Sequence, residues 1–379
     1  MPRMGGSAVS VRLEFVKLAA AEGVNLRELC RRFRISAPTG YKWLKRFDKD
    51  GIKGLEDGSH RPHSQPRPSS AELEQRVVKL RQLHPAWGGR KLRVLLAREG
   101  QQPPPSASTV TAILRRQQLL DPPTGGYPTA WRRFEYAAPN ELWQMDVKGD
   151  IALGEGRCYP LTVLDDYSRF SLGLQACRDQ REPTVRERLT AMFRRYGLPR
   201  RMLADNGAPF GTAGIEAFST LEVWLMRVGV KLYHGRPRHP QTQGKDERFH
   251  RTLNVELLRG REFTSLLQAQ SEFDRWREVY NFQRPHQALA MQVPADRYRP
   301  SPRSFPEVLP AIEYAPDLTV CAVNRDAAIS FQRRRFKIGK AFIGLPVAVR
   351  PTTTDGAHQV FFCTTLIRTI DLRSRLDHV

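Results

Sequence analysis

In residues 143–149, WQMDVKG, the acid Asp146 interrupts an apolar run that otherwise predicts a buried strand. A second short apolar run ends at Asp205 in LADNGAPF, and Glu247 opens a segment of helical spacing in HPQTQGKDERFH. An acid inside or at the edge of a core is unfavourable unless something positive compensates it. Mg²⁺ takes oxygen ligands, and relatively few of them from protein. Three such acids on two strands and a helix therefore predict a magnesium site.

The composition of the chain favours a polyanionic partner. Its 379 residues include 61 Lys and Arg against 39 Asp and Glu, a formal net charge of +22. Residues 1–135 alone hold 25 basic against 12 acidic side chains, so we expect the amino-terminal part to bind the polyanion. Such a charge favours nucleic acid or an anionic membrane surface over a small metabolite. No stretch approaches the roughly 18–20 apolar residues that span a bilayer, and we expect no membrane partner.

The cysteines and the first residues indicate the cellular compartment. The start of the chain lacks the apolar core of a signal peptide. The five cysteines are odd in number and widely scattered, which argues against both a disulfide framework and a zinc knuckle. A reducing cytoplasm is the simple interpretation. The cysteines are Cys30, Cys158, Cys177, Cys321 and Cys363.

Residues 1–56 have the pattern of a helix-turn-helix unit. Asn25 can cap a short second helix, and Ser36 can cap a third helix that presents Lys42 and Arg46. Two short helices joined by a tight turn, the second polar and basic, are typical of DNA-binding helix-turn-helix motifs. The alternative is a small helical bundle with a solvated basic face. Basic charge on the last helix favours the DNA-binding interpretation.

A second helical unit is predicted over residues 71–120. Ser106 can cap its third helix, which presents Arg115 and Arg116. A stretch rich in Pro, Ser and His predicts a linker over 57–70, and a second linker covers 121–139. Two tandem basic units strengthen the case for DNA.

The remainder of the chain predicts a multidomain protein of mixed class. Residues 140–298 begin with three closely spaced strands, and strands and helices then alternate. This order indicates an α/β domain with a mixed sheet and helices on its faces. Residues 311–379 are strand-like with tight turns and predict a small β-barrel. The expected fold class is tandem all-α units, an α/β domain and a C-terminal barrel.

Five sequence motifs resemble those of a known family. They are WQMDVKG, LTVLDDYSRF, LADNGAPF, RPRHPQTQGKDERFHRTLN and YNFQRPHQALAMQVPADRY. In this order they resemble the DDE transposases with a retroviral-integrase-like core, the nearest being insertion-sequence transposases of the IS481 type within the IS3 group. The resemblance implies an RNase H-like core whose acids, Asp146, Asp205 and Glu247, hold two Mg²⁺ or Mn²⁺ ions. The gap before Glu247 is longer than is usual for the family, and Asp246 lies beside it. Glu247 is preferred because the family pattern QGxxE ends on it.

The resemblance also implies a reaction and its partners. It implies a DNA transposase that binds terminal inverted repeats, cleaves the element ends and joins the 3′-hydroxyls to target DNA. Double-stranded DNA is the expected partner, with a homo-multimer on DNA and a bacterial, nucleoid-associated cytoplasmic location. An ATPase partner is left open. Two alternatives are a transposase-derived DNA-binding regulator and an RNase H-like nuclease.

The predicted catalytic helix carries further DNA-binding candidates. Arg251 lies one turn after Glu247 and Asn254 two turns after it, and Lys245 precedes it. These three side chains are expected to touch DNA beside the reacting bond, the alternative being a solvated polar face. The pair Asp165-Asp166 is interpreted as a structural turn.

Overall fold

A computed structural model describes residues 8–57, 69–120, 135–207, 209–211, 218–235 and 244–373. The chain divides into two compact units, Met1–Ser70 and Ala71–Val379. The predicted linkers fall mostly on residues 58–68 and 121–134, outside the described part. The same holds for most of the segment before Glu247, residues 236–243. No helix in the described ranges is long and apolar enough to cross a membrane.

The first unit contains the three predicted helices, α1 Ala8–Ala19, α2 Leu26–Arg32 and α3 Ala37–Asp50. The side chain of Asn25 accepts hydrogen bonds from the first turn of α2, and that of Ser36 accepts one from the first turn of α3. Side-chain oxygens at these positions satisfy N–H groups that have no partner inside a helix. The helices bury a small shared core of Phe15, Val16, Leu29, Cys30 and Leu55.

The second helical unit follows the same plan. It consists of α4 Ala71–Leu83, α5 Gly89–Arg98 and α6 Ala107–Arg116. Ser106 caps α6, as predicted. Its core includes fully buried Trp87, Leu92 and Val110.

The α/β region is built on a six-stranded mixed sheet. Its strands are β1 Trp143–Val147, β2 Ile151–Ala152, β3 Arg157–Asp165, β4 Ser171–Cys177, β5 Arg201–Ala204 and β6 Lys231–His234. They lie in the order β2-β3-β1-β5-β6, with β4 also paired to β3. Strands β1, β3 and β4 form the predicted antiparallel meander, whereas β1–β5 and β5–β6 are parallel pairs. The predicted mixed sheet is confirmed.

Helices cover both faces of the sheet. On one face α7 Glu182–Tyr196 and α8 Thr220–Arg227 pack against β1 through Trp143 and Met145. On the other face lie α9 Gly244–Leu253, a π-helical turn Asn254–Leu258 and α10 Leu266–Phe282, packed against β3 and β4. A short α11, Pro294–Arg297, follows. The fold is integrase-like and of the RNase H class.

The C-terminal region forms sheets, but a barrel is not shown. Its strands are β7 Thr319–Ala322, β8 Ala328–Phe331, β9 Arg334–Lys337, β10 Pro346–Pro351, β11 Ala357–Phe362 and β12 Thr365–Asp371. Four of them form an open sheet in the order β12-β11-β10-β7, and β8 pairs with β9 alone. Closure would require the two edge strands, β12 and β7, to pair with other strands. No such pairing links the described residues.

Candidate active site

The parallel pairing of β1 with β5 determines where the first two acids lie. Trp143 pairs with Met202 and Gln144 with Leu203. Continued by two residues, this register sets Asp146 beside Asp205, which directly follows β5. The electrostatics agree with this placement. Burial raises the pKa of Asp146 to about 6, an effect opposed by the Val147 N–H and increased by the charge of Asp205.

Asp205 presents a carboxylate oxygen that has no partner among the described residues. Its Oδ1 is buried and accepts no hydrogen bond from any residue that the structure describes. The main chain at this point is held firmly, since the Asp205 carbonyl oxygen lies 2.9 Å from Nδ1 of His234. The amide of Asn206 donates to the carbonyl of Gly235 at 2.9 Å. A buried polar atom without a partner calls for an explanation, and a bound cation would supply one.

Helix α9 packs a polar patch against the same part of the sheet. Asp246 is 2% exposed, and its Oδ1 likewise has no hydrogen-bond partner in the described ranges. Burial raises the pKa of Asp246 far above its usual value, and the nearby charges of Asp146 and Asp166 add to the shift. The ionised form of Asp246 is therefore disfavoured in this metal-free fold.

His250, one turn further along α9, also faces the sheet. Its Nδ1 lies 3.7 Å from Oδ2 of Asp146, and its Nε2 lies 2.9 Å from Oγ1 of Thr162. Burial lowers the pKa of His250 to about 4, so the ring is neutral at neutral pH. Thr162 also donates to the Asp146 carbonyl oxygen. Together these contacts fix the main chain and the surroundings of Asp146.

The structure places Glu247 on the exposed side of α9. Arg251 and Asn254 are exposed as well, so the three residues share the solvent face that their spacing predicts. Adjacent positions on a helix point about 100° apart, which explains why Asp246 is buried and Glu247 is not. In the described part of the chain no group of three or more His, Cys, Asp or Glu side chains is arranged to hold a metal ion. The assignment of Glu247 therefore stays a prediction.

Lys245 has a carboxylate partner within the protein. Its ammonium group pairs with Asp166, a residue 1% exposed. Asp166 also accepts from the Gln144 side chain at 2.8 Å and from the Tyr136 N–H at 2.9 Å. This pair fastens the first turn of α9 to the end of β3. The predicted contact between Lys245 and DNA stays a prediction.

The interpretation of Asp165-Asp166 as a structural turn is confirmed. The turn follows β3, and both acids are buried. Asp165 accepts hydrogen bonds from the Asn140 N–H and from the N–H and hydroxyl of Ser168. Burial raises the pKa of Asp165 in spite of these three donors.

The candidate DNA-binding residues of the helical units differ in their surroundings. Lys42 on α3 and Arg115 on α6 are exposed, and Arg46 is half-buried. Arg116 is exposed but pairs with Glu74 of α4. A surface ion pair of this kind is weak and exchanges readily for a phosphate. Contacts of these four residues with DNA stay predictions.

His250, Thr162 and the buried position of Asp246 were not anticipated from the sequence. One signal was available in the spacing of Asp246, Phe249, His250 and Leu253, which lie at i, i+3, i+4 and i+7. This period marks one face of a helix, and all four residues are buried. Polar residues in two of the four positions obscured the apolar pattern.

Family models match most of the chain in separate segments. Two models described as "Integrase core domain" match residues 137–240 and 228–294. "IS481 family transposase, C-terminal domain" matches residues 318–378. A "Helix-turn-helix domain" matches residues 11–63, and a "Homeodomain-like domain" matches residues 39–114.

Insertion-element proteins are among the relatives. An uncharacterized 39.2 kDa protein of insertion element IS476 from Xanthomonas euvesicatoria is 28% identical over 248 residues, 64% of this chain and 69% of that protein. A 31.7 kDa protein of IS407 from Burkholderia multivorans is 29% identical over 159 residues, 42% of this chain and 55% of the relative. The chain is thus a relative of the insertion-sequence transposases, with an integrase-like core. The resemblance of its sequence motifs to those of insertion-sequence transposases is confirmed.

Viral proteins show the same likeness more distantly. The Gag-Pol polyprotein of avian reticuloendotheliosis virus is 27% identical over 140 residues, 36% of this chain and 12% of the polyprotein. Among solved structures, a simian T-cell lymphotropic virus intasome chain aligns over 78% of this chain and all of its own, at 14% identity and a TM-score of 0.37. The HTLV-2 integrase catalytic core with magnesium aligns over 43% and 99%, at 15% identity and a TM-score of 0.33. The integrase core matches over residues 137–240 and 228–294 support a polynucleotidyl transferase family.

The raised pKa of Asp146 predicts how stability depends on pH. An unfolded Asp titrates near ~3.9, so between that pH and about 6 the folded state binds more protons. The free energy of unfolding therefore falls as pH rises through this window. Asp146→Asn lacks the titrating group. In metal-free buffer we expect the free energy of unfolding of the variant to exceed that of wild type by about 1–3 kcal/mol at pH 8, and by much less at pH 4.5.

Urea unfolding at several pH values measures this difference. Glu155→Gln is the matched control, because Glu155 is an exposed acid in the turn before β3. The control should track wild type at every pH. A gain in Asp146→Asn that is the same at pH 4.5 and pH 8 would contradict the ionisation argument.

Proposed function

We propose that the chain is a DNA transposase that cleaves the ends of its element and joins the 3′-hydroxyls to target DNA. The observation that carries the proposal is the placement of Asp146 beside Asp205 at the ends of two parallel strands, next to the helix that bears Glu247. The matches to integrase core domains over residues 137–240 and 228–294 support it, because both acids and this helix lie inside them.

The two aspartates fit a pair of Mg²⁺ or Mn²⁺ ions. Asp146 is partly buried beside another acid, and Asp205 has a carboxylate oxygen without a partner in the described ranges. Such a pair repels itself unless protonated or neutralised by a cation. We propose that Asp146, Asp205 and Glu247 hold the ions. When bound, two metal ions stabilise the attacking and leaving oxygens of an in-line phosphoryl transfer.

The other residues of the site act through position. Thr162 and His250 fix the backbone and flank the carboxylate of Asp146. Lys245 holds the first turn of α9 through Asp166. Exposed Arg251 and Asn254 lie on the Glu247 face, where we propose that they contact DNA beside the scissile phosphate.

We propose that the two helical units bind the terminal inverted repeats. Models of helix-turn-helix and homeodomain-like domains match this part of the chain, which supports DNA binding. Lys42, Arg46, Arg115 and Arg116 are the proposed contacts. Phosphate contacts should make binding fall steeply with salt. Assembly as a multimer on paired ends and a nucleoid-associated location belong to the same proposal, and an ATPase partner stays open.

Removing either aspartate should abolish the chemistry and leave DNA binding intact. With Mg²⁺ and an oligonucleotide carrying the inverted repeat that flanks the gene, we expect Asp146→Asn and Asp205→Asn each to lower the strand-transfer rate about 10³-fold or more. The dissociation constant for the repeat should change less than about threefold, because neither residue lies on the helical units. Glu155→Gln should behave as wild type.

The outcome of this assay also separates the alternative functions. Repeat binding by the wild type without cutting or joining would favour a DNA-binding regulator. Cleavage of RNA–DNA hybrids without repeat-specific binding would favour a nuclease. Full strand transfer by Asp146→Asn would contradict the assigned site.

Adjacent acids on α9 should respond differently to the same change. Asp246 is buried and burial raises its pKa, so Asp246→Asn supplies a neutral group of nearly the same shape. We expect strand transfer by this variant to stay within about fivefold of wild type, whereas Glu247→Gln should lose about 10³-fold. The measurement is the strand-transfer rate, with circular dichroism to verify folding. Loss of activity only at Asp246 would reverse the assignment of the third acid.

A further inference from the structure

A buried ion cluster joins the second helical unit to the end of the proposed catalytic helix. Glu256 lies in the π-helical turn and has a side chain only 9% exposed. Its Oε1 accepts from Nε of Arg284 at 2.8 Å and lies 3.5 Å from Nζ of Lys91. Lys91 belongs to α5 of the helical unit, whereas Arg284 follows α10. One carboxylate thus holds two cations that come from different parts of the chain.

The surroundings of the cluster shield it from water. The Lys91 ammonium lies 5.8 Å from the centre of the Trp87 ring, which in turn stacks on His84. The Arg284 guanidinium covers the Tyr280 ring at 5.5 Å. Burial lowers the pKa of Lys91 to about 8, with a further decrease from Arg284 and an opposing effect of Glu256. Partly desolvated pairs depend strongly on each partner, because a lost partner leaves an uncompensated charge.

Two further contacts link the same elements. Arg98, at the end of α5, donates from Nη1 to the carbonyl oxygen of Gln283 at 3.1 Å. Val279 of α10 packs against the apolar core of the helical unit. The second helical unit is therefore docked at three points, two of them on α5, onto the end of α10, the residues after it and the π-helical turn.

The π-helical turn is continuous with α9. Leu253, at the junction, keeps helical dihedral angles of −55° and −46°. Glu256 lies nine residues after Glu247, about 13 Å along a helix that rises ~1.5 Å per residue. Interruptions of α-helices by π turns are frequent at functional sites. This connection offers a route by which a displacement of the helical unit would reach the segment that bears Glu247.

We propose that Glu256 is a positioning residue. Through it, the second helical unit fixes the position of the helix that carries Glu247 relative to the sheet. The role assigned to Glu247 rests on the proposed function. The connection between Lys91, Glu256 and Arg284 does not, since it is a property of the folded chain without DNA. Binding of a DNA end by the helical unit and the geometry of the acids are thus coupled through one ion cluster.

Lys91→Met tests the connection in the DNA-free protein. The change keeps an apolar stem against Trp87 and removes the ion pair between the helical unit and Glu256. We expect amide hydrogen exchange across residues 244–258 to accelerate about tenfold, and exchange in β3 to stay unchanged. Lys91→Arg should restore slow exchange, because a guanidinium can also pair with Glu256. Lys79→Met, an exposed lysine on α4, is the matched control.

Strand transfer supplies the functional arm of the same test. At saturating repeat DNA we expect Lys91→Met to lower the rate about tenfold while the dissociation constant changes less than about twofold. A role limited to stability would leave the rate per folded molecule unchanged. Arg98→Met, which removes the separate contact with Gln283, should shift both readouts in the same direction and less strongly.

The two arms distinguish failure of this proposal from failure of the proposed function. Unchanged exchange over residues 244–258 in Lys91→Met overturns the positioning role, whatever the protein does with DNA. Faster exchange together with unchanged strand transfer overturns the coupling to the active site. Absence of strand transfer in the wild type overturns the proposed function, and the exchange result then decides the connection alone.

Discussion

The parallel register between β1 and β5 is the constraint on which the proposed site depends. Parallel strands are found where helices cover both faces of the sheet, and α7 to α10 provide that cover. The register then places two carboxyl groups, Asp146 and Asp205, where neither is fully hydrated. Burial and the nearby charge of Asp205 both raise the pKa of Asp146, so its ionised form is unfavourable in the metal-free fold. A bound cation would offset this unfavourable charge, so metal binding and the stability of the strand ends at Asp146 and Asp205 are linked.

Helix α9 contributes two buried polar groups to this arrangement. Burial disfavours the charged form of both, so it raises the pKa of Asp246 and lowers that of His250 to about 4. The His250 ring is therefore neutral at neutral pH and brings no competing cation against Asp146. Glu247, the neighbouring acid, keeps its side chain in solvent on the face shared with Arg251. One helix thus presents buried polar side chains to the sheet and the charged side chains of Glu247 and Arg251 to solvent.

Local signals made much of the fold predictable, whereas long-range pairing did not. The helix caps at Asn25, Ser36 and Ser106 depend on a few neighbouring residues, and the structure confirms them. The apolar runs around Asp146 and Asp205 likewise identify strands. Closure of the C-terminal sheet depends on which edge strands meet, and turn positions do not encode that. The ion cluster at Glu256 joins residues about 28 to 165 positions apart, so no spacing rule could have found it.

The central claim is that Asp146 and Asp205 hold a divalent cation between them. The most direct measurement is an anomalous difference map from crystals of the protein grown with Mn²⁺, which replaces Mg²⁺ at oxygen ligands and scatters anomalously. We expect a peak within about 2.0–2.5 Å of a carboxylate oxygen of each aspartate, and its loss in Asp205→Asn crystals. The assignment would be contradicted if, at saturating Mn²⁺, both aspartates were well ordered at the ends of β1 and β5 and no peak lay between them.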